Sequence, residues 1–255
     1  MLSPIERLRS AKSIGFLFCG GSMRTAFQIG VVEVLHNLGI FPSVCLGVSG
    51  GVWNAAAVAV GNTRRLRNYW RFFSRMPCLD WRNIFSTEHS PWIWSRLHAR
   101  AFERYVGTEK VRSAIPLFAT LTRIRDRSQV FVDVRSHHDP FGVLLASNYL
   151  PPYYTLPPLI AGERYADAGF INNIPYEALF ERGCDAVVMM TQKGENEGGL
   201  QRRYGAPAHV PPPEVIVIRP RERLGIGFIE RRWNRLASVA DVGAQRAREV
   251  LNPSS

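Results

Sequence analysis

Ser49 lies in Gly47-Val48-Ser49-Gly50-Gly51, a Gly-x-Ser-x-Gly pattern that closes the apolar run Val44-Cys45-Leu46 and passes into the helix-forming stretch Trp53-Asn54-Ala55-Ala56-Ala57-Val58-Ala59. A serine hydroxyl is a weak nucleophile until it is oriented, exposed and relieved of its proton. A sharp strand-to-helix turn supplies the first two conditions, and small residues on either side let the chain make it. The same pattern also fits an ordinary tight turn with serine as a helix cap. A carboxylate that could take the proton occurs in Tyr165-Ala166-Asp167-Ala168-Gly169, at the end of a short predicted strand. Asp167 there reads either as a base for a serine or as an Asx turn.

The negative charge of an acyl-transfer intermediate needs donors. Ile14-Gly15-Phe16-Leu17-Phe18 reads as a buried strand and runs through Cys19-Gly20-Gly21-Ser22-Met23-Arg24-Thr25 into a helix that Gly39 closes. A glycine-rich turn before a helix offers free backbone N–H groups to an anion. It lacks both the Gly-Lys-Ser/Thr of a phosphate loop and the Gly-x-Gly-x-x-Gly of a dinucleotide fold, so an oxyanion hole facing Ser49 is the better expectation.

These pieces, in this order, resemble the patatin-like phospholipase family: a Gly-Gly-x-x-Arg turn, Gly-x-Ser-x-Gly, then Asp-x-Gly followed by Asn173-Ile174-Pro175. The stretch Ala146-Ser147-Asn148-Tyr149-Leu150-Pro151-Pro152-Tyr153-Tyr154 is similar to the Ala-Ser-x-x-x-Pro segment of that family. The resemblance covers roughly residues 13–190. It implies a three-layer α/β fold with a mostly parallel central sheet flanked by helices. It also implies hydrolysis of lipid acyl esters by a serine–aspartate dyad without histidine and without a cofactor or metal. Carried across, Ser49 is the nucleophile and Asp167 the base. Gly20, Gly21, Ser22 and Met23 form the oxyanion turn, with Arg24 the basic residue after it. The chain departs from the family pattern at Ser22 and Thr25, where glycine is usual, and at Ala168 after the aspartate.

Two other classes compete with a lipid acyl hydrolase. His209 follows Ser49 and Asp167 in the chain order of an α/β-hydrolase triad, Ser49-Asp167-His209, but sits in a loop with no other triad feature. The altered residues also fit a basic binding protein on a degenerate hydrolase scaffold. The remaining histidines, His36, His89, His98, His137 and His138, read as surface or core residues, and the adjacent pair suggests no metal set.

The elements around these motifs alternate. Strands are predicted at 14–18, 44–48, 129–134, 142–146, 185–190 and 215–218, and helices at 25–38, 51–60, 63–75, 92–105, 175–182 and 228–251. Alternation of this kind gives a mostly parallel sheet between helices in one domain of 255 residues. Residues 63–127 are expected to form a helical cap, and 194–213, rich in Gly, Pro and charge, a mobile surface loop. No apolar run reaches the ~18 residues of a membrane span, and Met1–Ser13 lacks the apolar core of a secretory signal. Cys19, Cys45, Cys78 and Cys184 are scattered and read as reduced thiols, so a cytoplasmic protein, peripheral at a membrane, is expected.

The net charge is +11, carried almost wholly by arginine. Arg64-Arg65-Leu66-Arg67-Asn68-Tyr69-Trp70-Arg71-Phe72-Phe73 and Trp92-Ile93-Trp94-Ser95-Arg96 mix arginine with aromatics at helical spacing. Such helices suit an anionic membrane surface, or simply bury the aromatics and solvate the arginines. Lipid or acyl ester is the expected partner; nucleic acid, which the charge alone would allow, is not.

Overall fold

The computed structural model describes residues 2–85, 91–151, 153 and 159–252. His89, Pro152 and Tyr154 lie outside the described residues. The helices are α1 (Pro4–Ser10), α2 (Phe27–Asn37), α3 (Gly51–Ala59), α4 (Leu66–Arg75), α5 (Trp94–Tyr105), α6 (Thr108–Arg112), α7 (Pro140–Ala146), α8 (Glu177–Phe180) and α9 (Trp233–Leu251). The strands are β1 (Ile14–Phe18), β2 (Val44–Val48), β3 (Leu117–Arg123), β4 (Gln129–Asp133), β5 (Leu159–Ile160), β6 (Glu163–Asp167), β7 (Ala186–Met190) and β8 (Val215–Ile218).

They form one mixed eight-stranded sheet flanked by helices, the α/β architecture expected. Its centre is parallel: β8, β7, β1, β2 and β3 pair in that order. β1, β2 and β7 are buried along their whole length, which is why they read as unbroken apolar runs. Alternate side chains serve the two faces. Phe16 and Phe18 join the core under α2, α3, α4, α5 and α9, while Leu17 packs on the other face with Leu179 of α8 and Tyr176.

β3 carries the topological detail that matters most. Thr120 pairs with Val48 of β2 and with Phe131 of β4, so those two strands lie on opposite edges. Leu121 pairs with Val130 of β4 and with Asp167 of β6. Hence β2 and β6 share one edge of β3, and because β2 runs parallel to β3 and β6 antiparallel, they meet there with their C-terminal ends facing.

α2 and α9 pack in backbone contact. A Cβ on Gly30 would lie 1.8 Å from the Ala240 carbonyl oxygen, and one on Gly243 1.9 Å from that of Phe27. Arg67 ties α4 to both helices, with a bidentate bond to Glu33 (2.7 and 2.8 Å) and a third to Asp241 (2.9 Å).

Several sequence expectations change. Residues 142–146 are helix, not strand: Asp139 accepts from the Gly142 amide (2.9 Å) and Pro140 opens the first turn, a helix start that outweighs a short apolar run. The sheet uses Leu117–Arg123 instead, so only the earlier part of segment 63–127 is helical. The helix expected over 175–182 shortens to Glu177–Phe180, and the last helix starts at Trp233 rather than 228.

Gly30→Ala should lower the unfolding free energy by about 2–4 kcal/mol, since its methyl group can enter only by pushing the two helix backbones apart. Urea denaturation measures it; an unchanged midpoint would mean that α2 and α9 do not touch as described.

Candidate active site

The parallel strands end on one side of the sheet, where a doubly wound fold leaves a crevice. Ser49 directly follows β2 and takes φ +51°, a left-handed conformation that a non-glycine residue holds only when its surroundings impose it. The turn fits because a Cβ on Gly51 would sit 2.3 Å from the Phe18 carbonyl oxygen; the bare backbone of the elbow lies against the end of β1.

The facing strand ends bring Ser49 and Asp167 together. Ser49 Oγ donates to Asp167 Oδ2 at 2.5 Å, and the Gly169 amide donates to Asp167 Oδ1 at 2.7 Å. Both residues are over nine-tenths buried. Burial raises the Asp167 carboxyl to about 6, against the lowering pull of its bonds from Ser49 and Gly169.

The segment after α7 clamps this pair. The Ser49 amide donates to Ser147 Oγ (3.1 Å), whose hydroxyl donates to the Thr120 carbonyl (2.9 Å). Asn148 Nδ2 donates to the Ser49 carbonyl (3.0 Å), and the Asp167 amide donates to the Tyr149 carbonyl (3.0 Å). Three consecutive residues therefore hold both members of the pair through their backbones.

The Gly20–Thr25 turn stands beside Ser49: a Cβ on Gly20 would lie 2.7 Å from Ser49 Cβ, and one on Gly50 3.1 Å from Ser22 Cα. Its amides are not equivalent. That of Gly20 donates to Asn173 Oδ1 (2.6 Å), while Asn173 Nδ2 donates back to the Gly20 carbonyl (3.1 Å). That of Met23 donates to the Phe228 carbonyl (3.4 Å). The amides of Gly21 and Ser22 donate to no group among the described residues. Ser22 and Thr25, the residues that depart from the family pattern, spend their hydroxyls locally: Ser22 Oγ on the Phe228 carbonyl (2.7 Å) and Thr25 Oγ1 on the Ser22 carbonyl (2.6 Å). Ala168 is buried in the core beneath. A buried chain runs from the cap to this turn. Trp70 Nε1 donates to Asn54 Oδ1 (2.7 Å), and Asn54 Nδ2 donates to Gln28 Oε1 (2.8 Å) and to the Thr25 carbonyl (2.9 Å).

No histidine hydrogen-bonds to Ser49 or Asp167 among the described residues. His209 Nε2 meets the Tyr176 hydroxyl at 2.5 Å with the two rings stacked. His98 is buried, stacked on Trp53 at 4.1 Å, and desolvation brings it down to about 3, so it is uncharged at neutral pH. His36 bonds Thr63.

A cleft of about 620 Å³ opens over the pair. Arg24, Lys193 and Arg203 in its wall have no carboxylate partner among the described residues, whereas Arg202 pairs with Glu177. Segment 194–213 supplies much of this wall. It is anchored by the Leu200–His209 bridge and by the Asn173 amide, which donates to the Arg202 carbonyl (2.6 Å). Sequence reasoning found Arg24 but missed Lys193, Arg203 and Phe228 because no motif marks them; Ser147 and Asn173 were visible only as parts of family-like segments.

The fold and the strand–turn–helix serine beside a carboxylate define an α/β protein with a polar crevice over that pair. The family model described as patatin-like phospholipase matches residues 16–180, and the chain belongs to that family. Among solved structures, VipD from Legionella pneumophila is similar in fold, with a TM-score of 0.57 and 11% identity over 95% of this chain and 67% of that one. No curated protein matches the chain.

Because the folded-state pKa of Asp167 is raised, its contribution to stability is fullest below about 4 and is lost as pH rises through about 6. Asp167→Asn removes that dependence, so the variant should gain stability relative to the native chain between about pH 4 and about pH 7. Denaturant midpoints across that range test it; a constant difference would show that the carboxyl is not buried as described.

Proposed function

We propose that the protein is a lipid acyl hydrolase working through Ser49 and Asp167. One observation carries this reading: the Ser49 hydroxyl donates straight to a buried carboxylate whose other oxygen is already held. Family membership supports lipid acyl hydrolysis in general.

In this mechanism Ser49 Oγ attacks the ester carbonyl carbon while its proton passes to Asp167 Oδ2. The carbonyl oxygen becomes an oxyanion and accepts from the Gly21 and Ser22 amides, with Arg24 nearby as a positive charge. The carbon–oxygen bond to the alcohol then breaks, and the departing oxygen takes the proton from Asp167. Water repeats the sequence: its proton goes to Asp167, its oxygen attacks the acyl-enzyme, and Ser49 leaves with that proton as the free acid forms. A carboxyl near 6 suits both halves, because it is mostly ionised at neutral pH yet basic enough to hold a proton in passing. The bonds at Ser147, Asn148 and Tyr149 keep the two reacting groups aligned through both halves.

The same reading places the enzyme at a lipid surface. Tyr69, Trp70 and Phe73 of α4 and Trp94, Leu97 and Phe102 of α5 are buried, so these helices offer the solvent their arginines and keep most of their rings inside. The most exposed rings at the cleft are Phe170 (64%) and Tyr204 (102%), beside Arg203, which has no carboxylate partner among the described residues. Aromatics next to unpaired cations at the mouth suit contact with an anionic bilayer. No helix among the described residues is long and apolar enough to cross a membrane, which leaves peripheral contact as the mode proposed.

A fluorophosphonate probe should label Ser49. Ser49→Ala should lower hydrolysis of p-nitrophenyl esters by about three orders of magnitude or more, Asp167→Asn should be nearly as damaging, and His209→Ala should be mild. A severe, well-folded His209→Ala variant would replace the dyad by a triad. Anionic vesicles should bind more tightly than neutral ones, with the difference shrinking in salt, and exchange of Phe170 and Tyr204 for serine should weaken binding. Co-sedimentation beside a DNA-duplex titration measures this, and salt-sensitive DNA binding without vesicle binding would overturn the membrane assignment.

A further inference from the structure

The two sides of Ser49 differ greatly in room. On the cleft side about 620 Å³ is open. Next to it, at Ser22 and Asn148, lie two small adjoining cavities, the first of which shares Ser49, Leu150, Asp167 and Phe228 with the cleft. The first, about 30 Å³, touches Ser49 and is bounded by Trp94, Leu150, Tyr153 and Phe228. The second, about 20 Å³, is bounded by Trp53, Tyr69, Trp70, Phe73, Trp94 and His98. Ser22, Trp94 and Asn148 border both.

This second side is the apolar one, and its walls are interlocked. Trp53 stacks on His98 at 4.1 Å, Phe73 lies 4.7 Å from His98 and 5.8 Å from Trp94, and Trp94 lies 5.6 Å from Tyr153. Arg231 fastens the end of α4 by donating to the carbonyls of Phe73 (2.6 Å) and Met76. Each ring is therefore braced by others, and widening the box means moving several at once.

One water-sized group needs roughly 15 Å³, so the two cavities together hold about three methyl-sized groups beyond the ester carbon. A longer chain has two ways to fit. It can displace packed rings, which overpacks the wall and slows turnover about tenfold or more. Or it can turn into the cleft and lie against Arg24, Lys193, Glu197 and Arg203, where its methylenes gain little burial.

We propose that the acyl group transferred to Ser49 is short, of two to about four carbons, seated in the narrow aromatic pocket, and that the wider cleft receives the bulk of the substrate as its leaving group. This rests on the hydrolase reading above and narrows it: the larger part of a lipid substrate leaves as the alcohol rather than remaining on the enzyme as the acyl chain.

The test is the kcat/KM profile on p-nitrophenyl esters from acetate to palmitate, run beside fluorophosphonate labelling of Ser49. The expected profile peaks at acetate to butyrate and falls about tenfold or more by octanoate. Tyr153→Ala opens the wall of the first cavity at a half-buried position and should raise the octanoate-to-butyrate ratio several-fold. Trp94→Ala should do the same more strongly if it folds. A wild-type optimum at octanoate or longer, a flat profile, or labelling of Ser49 without turnover of any ester would overturn the inference while leaving Ser49 as a nucleophile. Absence of both labelling and hydrolysis would instead overturn the hydrolase reading, and this inference with it.

Discussion

One edge of β3 accommodates two strands, and the arrangement of the site follows from that. β2 comes up it in parallel and β6 comes down it antiparallel, so residues 118 apart in sequence meet at the join with a 2.5 Å hydrogen bond. The contact is costly in two ways. Ser49 sits in the left-handed region, and Asp167 holds a carboxyl where burial strips most of the water from its charge. Neither condition would persist on an unsupported loop. The supports are therefore dense: Ser147 and Asn148 on the Ser49 backbone, Tyr149 on the Asp167 backbone, and Gly169 on the carboxylate.

The glycine-rich turn shows a similar division of labour. A donor already satisfied by a protein acceptor is a poor partner for a developing charge. Asn173 and Phe228 occupy the amides on either side, and the two middle amides donate to no group among the described residues. Ser22 and Thr25 look like obstacles beside a pattern of glycines, yet each hydroxyl turns to a carbonyl within the turn or beside it. The added side chains brace the turn. Ser22 nevertheless keeps φ +51°, which makes the turn a second strained point facing the first.

Charge and aromatic content separate in space in a way their mixing along the chain conceals. On α4 and α5 the large aromatics form the inner wall of a small box behind Ser49, and the arginines lie outward or pair with Glu33 and Asp241. The same two helices thus bound the apolar side of the site while adding to the positive surface. The cations that face the cleft come from elsewhere, from the turn after β1 and from the segment after β7.

The sequence by itself determined the motifs and most of the central strands. Unbroken apolar runs such as 14–18 and 44–48 have one plausible role in an α/β chain; Gly47 and Gly51 mark places where a Cβ would collide with neighbouring backbone, and Gly20 and Gly21 places where it would meet the side chains of Ser49, Asn173 and Gln192. It did not determine β3, nor the helical state of 140–146, because a short apolar segment fits either structure until its neighbours choose. Only the tertiary structure decided which groups share a hydrogen bond. Whether Asp167 reaches Ser49, whether His209 turns to Tyr176, and which amides of the turn stay free depend on the register of strands far apart in the chain. The size of the aromatic box was likewise beyond the sequence: helical spacing shows that rings face inward, but the space left between them is set by how closely α3, α4 and α5 pack.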